Sequence, residues 1–63
     1  MKIAVIGANG KAGKLIVKEA IKRNHDVTAV VRSENKSEAS KVINKDLFEL
    51  SKVDLADFDV VVS

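Results

Sequence analysis

The stretch that decides the fold is Ile3-Ala4-Val5-Ile6-Gly7-Ala8-Asn9-Gly10-Lys11-Ala12-Gly13. Lys2 leads into a continuous apolar run, the pattern of a strand buried on both faces over residues 2–6. Glycine then recurs at positions 7, 10 and 13. Ala12, Leu15, Ile16 and Ala20 follow at helical spacing and form the expected inner stripe of an amphipathic helix over 11–23, which Ile21 can join. Lys11, Lys14, Lys18, Lys22 and Arg23 lie mainly on the outer side, where Glu19 can pair with Lys22 and Arg23. Asn24 is a plausible left-handed stop. Strand, glycine loop and helix in this order build a phosphate cradle. One glycine lets the chain turn sharply, one lets backbone approach a pyrophosphate, and one lets helix pack on strand. The first turn of the helix then aims unpaired N–H groups and the positive dipole end at the anion. The alternative is a tight turn that binds nothing and loses the backbone entropy of three glycines without a packing gain.

Working outward, Val27-Thr28-Ala29-Val30-Val31 is a second strand rich in β-branched residues. With the first strand and the helix it makes a βαβ unit, whose right-handed crossover places the two strands parallel and adjacent. Residues 33–40 are polar and read as a solvated loop with room for one helical turn. Lys41-Val42-Ile43-Asn44 reads as a short third strand. Ser51 is a good N-cap for a helical turn through about Ala56, with Asp54 as a partial capping box. Residues 58–62 read as the fourth strand. The expected fold class is therefore α/β, the N-terminal half of a Rossmann-like, doubly wound parallel sheet with strand order 3-2-1-4. Phe48, Leu50 and Phe58 are expected in the core.

A complete dinucleotide-binding domain needs two βαβ halves, usually over roughly a hundred residues. At 63 residues, with its end inside an apolar strand, the chain reads as the truncated N-terminal part of one such domain. The sheet face opposite the helix is expected to be apolar and bare, so that the isolated fragment would self-associate or fold poorly. The apolar fraction of 46% is that of a globular protein. Eleven basic and nine acidic residues, a net charge of +2, are well mixed and give no clustered basic face for nucleic acid. There is no cysteine, and no apolar run near the roughly 20 residues of a membrane span. With a strand starting at once, there is no room for a signal peptide, and a cytoplasmic location is the expectation.

The glycine spacing is G-x-x-G-x-x-G, not the G-x-G-x-x-G of simple dehydrogenases. Alone it is a weak signal; between a buried strand and an amphipathic helix it is much stronger. Position 32 carries the second signal. An acid about 20 residues beyond the glycines holds the ribose 2′-OH of NAD. Arg32 stands there instead, beside Ser33, and a guanidinium suits the 2′-phosphate of NADP. Two other readings stay open: a solvent-exposed Arg, and Glu34 serving the ribose. NADP is the expected cofactor, with NAD as the alternative. Asp46 follows the third strand, where a carboxylate can accept the adenine amino group and the Leu47 backbone can bond the ring edge; the alternative is a loop-starting Asp. His25 reads as a turn residue. Lys11 is the one lysine of the helix placed near the phosphate. No metal-ligand spacing and no nucleophilic triad is present.

These segments, together with Asn24-His25-Asp26-Val27-Thr28-Ala29-Val30-Val31-Arg32, Lys45-Asp46-Leu47 and Asp57-Phe58-Asp59-Val60-Val61-Val62-Ser63, resemble the N-terminal part of the atypical short-chain dehydrogenase/reductases. Within them the chain is most similar to the NADH-flavin reductase-like proteins, which are akin to biliverdin-IXβ/flavin reductases and NmrA-like redox sensors. The resemblance covers nearly the whole chain. It implies that Gly7, Gly10 and Gly13 form the pyrophosphate loop and that the Asn9 side chain contacts phosphate. Lys11 and Ala12 would offer N–H groups, and Arg32 would take the adenosine phosphate end. Asp46 and Leu47 would flank adenine, and Ser63 would lie near the nicotinamide ribose. Two departures matter. The segment between the second and third strands is shorter than usual, and the Tyr-x-x-x-Lys pair of many relatives lies downstream, so no catalytic residue is carried over. The implied activity is NAD(P)H-dependent reduction of a flavin, quinone or similar small acceptor held by the rest of the protein. A non-catalytic dinucleotide sensor and a nucleotide-sugar epimerase relative are the alternatives.

Overall fold

A computed structural model describes residues 1–63. Its elements, in order, are β1 (Lys2–Ile6), α1 (Lys11–Lys22), β2 (Asp26–Val31), β3 (Lys41–Asn44), a 3-10 turn (Leu47–Glu49), α2 (Lys52–Leu55) and β4 (Val60–Val62). All strand pairs are parallel, in the order β3-β2-β1-β4 expected from the sequence. Ile3 pairs in register with Val27 and Val60, and Ile6 with Val30. The carboxyl ends of β1 and β2 therefore finish level, side by side.

Side-chain alternation divides the sheet into two faces. Ile3 and Val5 of β1, Val27, Ala29 and Val31 of β2, and the half-buried Val62 face α1 and form the core with Val17 and Ala20. The line of α1 laid on the sheet is Gly13, Val17 and Ala20. This corrects the stripe expected from apolar periodicity: Ala12 and Leu15 are exposed, Leu15 by 61%, and Ile16 and Ile21 sit at the margin. The apolar arc of α1 is wider than its contact. The missing Cβ of Gly13 lets the first turn sit against the backbone of Gly7 and Ala8, and the 13–17–20 line is the one turned inward.

The opposite face is not bare at its centre. Ala4, Thr28 and Val30 point that way and are buried. The chain must travel from β3 at one edge to β4 at the other. With α1 on the first face, the 45–59 segment returns over the second. The expectation of an uncovered face is thus corrected for the central strands, while Val61, in register with Ala4, remains exposed on the edge strand β4. The three residues expected in the core are not buried: Leu50 and Phe58 are half-buried, and Phe48 is 95% exposed on the 3-10 turn. The fourth strand is also shorter than expected and starts at Val60.

Local signals end the elements as read. Asn24 adopts φ +64°. The N–H groups of Asn24 and His25 donate to the carbonyls of Ile21 and Ala20, which closes α1 with a Schellman motif. Ser51 caps α2 as expected: its hydroxyl accepts from the Asp54 N–H, and the Asp54 carboxylate accepts from the Ser51 N–H. No helix is long and apolar enough to cross a membrane.

Candidate functional site

The three glycines of the chain sit in the β1–α1 loop, Gly7 and Gly10, and in the first turn of α1, Gly13. Gly7 takes φ +72°, a conformation that costs an L-residue about 1–2 kcal/mol. Its N–H donates to the Val30 carbonyl at 3.0 Å, which ties the loop to the end of β2. Its carbonyl accepts from the Gly10 N–H at 3.0 Å. A Cβ on Gly10 would lie 3.3 Å from that oxygen, and one on Gly13 would lie 2.3 Å from it. The loop is folded tightly around the Gly7 carbonyl, and the first turn of α1 is pressed against it.

Gly10 is the N-cap of α1 and offers no side chain, and the first turn contains no acid. The Lys14 N–H is taken by the Gly10 carbonyl. The N–H groups of Lys11, Ala12 and Gly13 donate to no protein group. Three unpaired donors at the positive end of a twelve-residue helix form an anion-binding corner.

Beside this corner a crevice of about 280 Å³ opens over the carboxyl ends of β1, β2 and β3. In an open parallel sheet this is the edge where ligands bind. Gly7, Asn9, Arg32, Ser33, Asp46 and Leu47 line it, so six of the residues singled out from sequence meet at one place. Ile6, Val30 and Val31 supply its apolar floor. Gly10, Lys11, Ala12 and Gly13 stand outside the crevice, on the loop and first turn next to it. Ser63 follows the Val5–Val62 pair at the end of β4, on the other side of β1. Glu34 does not reach the crevice; only its backbone carbonyl is engaged, by Asn9.

Arg32 is exposed at the crevice and makes no ion pair, so its guanidinium is free to meet an anion. Asp46 has a local task as well. One carboxylate oxygen accepts from the Phe48 N–H at 3.2 Å, and the Asp46 N–H donates to Glu49 at 3.1 Å, a capping box around the 3-10 turn. The Asp46-x-x-Glu49 spacing is a readable sign of that turn. Asn9 turns its amide away from the helix corner: Nδ2 donates to the Glu34 carbonyl at 2.8 Å and to Ser33 Oγ at 3.3 Å, and Oδ1 accepts from the Lys36 N–H at 2.6 Å.

Lys45 also lines the crevice and was not singled out from sequence. Its ammonium is bound to both carboxylate oxygens of Asp54, at 2.9 and 3.0 Å. The Asp54 side chain is only 19% exposed. The Lys45 hydrogen bond, with one from the Ser51 N–H, holds the Asp54 carboxyl below the ordinary carboxylate range. Below that range the unfolded chain binds the proton more readily than the folded one, so stability rises with pH there. The contribution is whole above about pH 4 and fades as pH falls through the lowered value of Asp54. Asp54→Asn should flatten the acid limb of the intact protein's stability curve and leave its slope between pH 5 and 8 unchanged, roughly as for wild type, in urea denaturation. An unchanged acid limb would mean that the pair contributes nothing.

The NmrA-like family model matches residues 1–63, the whole chain. The chain belongs to the NmrA-like family. The crevice therefore lies on a sheet of this family. Among solved structures, SP1627, a proposed NADH-flavin reductase from Streptococcus pneumoniae TIGR4, superposes with a TM-score of 0.94 at 69% identity, over 97% of this chain and 29% of that one. The Lmo0794 protein from Listeria monocytogenes gives a TM-score of 0.89 at 45% identity, over 97% of this chain and 38% of that one. The uncharacterized protein YwnB of Bacillus subtilis (strain 168) is 52% identical over 65 residues, which are 100% of this chain and 30% of that protein. The NmrA-like chain thus spans about a third of the length of these relatives. Its half-Rossmann α/β sheet is common to both solved proteins.

Proposed function

We propose that residues 1–63 are the N-terminal part of an NAD(P)-binding domain, and that the protein uses NADPH to reduce a flavin, a quinone or a similar acceptor. One observation carries the reading: an unpaired Arg32 lines a crevice over the strand ends, and next to that crevice α1 starts with three free N–H groups. The donor set fits a dinucleotide. Glycine at 10 and 13 lets the loop close on the Gly7 carbonyl and seats the first turn of α1 against it, the close strand–loop–helix packing of a pyrophosphate-binding turn. In this reading Lys11, Ala12 and Gly13 donate to the pyrophosphate, with the Lys11 ammonium nearby. Arg32 and Ser33 take the ribose phosphate, Asp46 and Leu47 border the adenine, and Ser63 lies toward the nicotinamide ribose.

The bound nicotinamide supplies the hydride. The residues of this chain would hold the adenosine and pyrophosphate, and Ser63 at the end of β4 would stand on the nicotinamide side. The position of Arg32 in the crevice lining, which does not include Glu34, favours NADPH over NADH. The name given to SP1627 supports the flavin as acceptor.

The test is turnover of the intact protein with NADPH and FMN, followed by loss of reduced-nicotinamide absorbance. Flavin-dependent consumption is the expected result. Binding of NADPH without consumption would replace the reductase by a dinucleotide sensor, and no binding would remove the reading altogether.

A further inference from the structure

The β2–β3 loop, residues 32–40, is organised by three asparagines. Asn35 works from within: its Oδ1 accepts from the Ser37 N–H and hydroxyl, and its Nδ2 donates to the Ala39 carbonyl. Ala39 is buried in the core, which anchors the far end of the loop. Asn44 donates to the Ser33 carbonyl from β3 at 3.4 Å. Asn9 is the third and comes from a different part of the chain. Its amide spans from the glycine loop to Ser33, Glu34 and Lys36 through three hydrogen bonds. Both N–H donors of its amide are committed there, and a phosphate would need those same donors to be met by the side chain.

We infer that Asn9 is a positioning residue for cofactor choice: it fastens the segment carrying Arg32 and Ser33 to the pyrophosphate loop, so that the two phosphate-reading parts hold a fixed separation. This rests on the proposed dinucleotide site. The physical reason is the entropy of an exposed loop. An unpinned loop must be ordered when ligand binds, whereas a loop already clasped meets the ligand at lower cost. Asn35 keeps the inside of the loop folded without help from Asn9, so removal of the clasp frees the position of the loop rather than unfolding it. NADH, which has no 2′-phosphate for Arg32 to hold, should feel that freedom much less than NADPH.

The experiment is a double-mutant cycle on the intact protein, in which Asn9→Ala, Arg32→Ala and the pair are titrated with NADPH and NADH. Asn9→Ala is expected to lower the preference for NADPH over NADH by about tenfold, the worth of one or two lost hydrogen bonds. In the Arg32→Ala background the same change should leave the preference unaltered. Equal weakening of both cofactors would show a direct phosphate contact and overturn the inference. Full additivity with Arg32→Ala, or no effect of Asn9→Ala, would overturn it too. Hydrogen exchange reads the clasp without any nucleotide: the peptide covering residues 33–37 should exchange faster in Asn9→Ala, and unchanged exchange also overturns the clasp. Asn9→Ser, too short to reach the Glu34 carbonyl, serves for both readings if the alanine variant does not fold. Wild-type protein that binds neither nucleotide would instead refute the proposed function, while the exchange result would still judge the clasp.

Discussion

Gly13→Ala is expected to destabilise the intact protein by about 3 kcal/mol or more, the upper range for forced overpacking. The added Cβ would stand 2.3 Å from the Gly7 carbonyl oxygen, 2.8 Å from the Ala8 Cα and 3.1 Å from the Ala8 carbonyl carbon. Ordinary contact begins at 3.4 Å, and all three neighbours are backbone, so no side chain can swing aside. Helix α1 would have to lift from the loop it rests on. Alanine gains about 1 kcal/mol of helix propensity over glycine, which offsets only part of this cost. Lifting α1 also withdraws the free N–H groups of Lys11, Ala12 and Gly13 from the anion corner, so dinucleotide affinity should fall along with stability. Gly10→Ala is the control. Its Cβ would meet one atom, at 3.3 Å, and a loss below about 1 kcal/mol is expected. Urea denaturation of both variants checks the pair, and equal stabilities would contradict the close approach of α1 to the loop.

Arg32→Asp is expected to weaken NADPH by about a hundredfold and to leave NADH within a few-fold of wild type. Arg32 is exposed at the crevice and has no ion pair to break. Its replacement should therefore cost the fold little, and the change should appear in binding. The loss has two sources: the charge-assisted hydrogen bonds to a 2′-phosphate disappear, and a carboxylate then faces that dianion. An acid at this position is also the residue type that holds a ribose 2′-OH, so NADH can gain what NADPH loses. Calorimetric titration of the two nucleotides measures the ratio. Equal loss for both would remove Arg32 from the 2′-phosphate role.

The parts of the fold that could be read from sequence are those written in local chemistry. A continuous apolar run gave β1, Asn24 marked the end of α1, and the Ser51–Asp54 pair marked the start of α2. The crossover rule made the first two strands parallel neighbours, and the full order is that of the Rossmann-like sheet to which the strand, glycine loop and helix pointed. Burial was harder to read. Leu15 is exposed because the contact line of α1 is set by the glycine at 13, which periodicity does not weigh. Phe48 is exposed because Asp46 and Glu49 cap a 3-10 turn that holds it outward. The crevice residues converge because parallel neighbouring strands end level, so Arg32 after β2 and Asp46 after β3 fall beside Gly7 after β1. The bonds of Asn9 join residues far apart along the chain, the Lys45–Asp54 pair bridges the 3-10 turn and the start of α2, and no local pattern announces either.

A crystal structure of the intact protein with NADP⁺ is the most direct test of the dinucleotide site. The pyrophosphate should lie on the N–H groups of Lys11, Ala12 and Gly13, and the 2′-phosphate should lie within about 3 Å of the Arg32 guanidinium. A 2′-phosphate held by other residues, or a nucleotide lying away from the ends of β1 and β2, would contradict it.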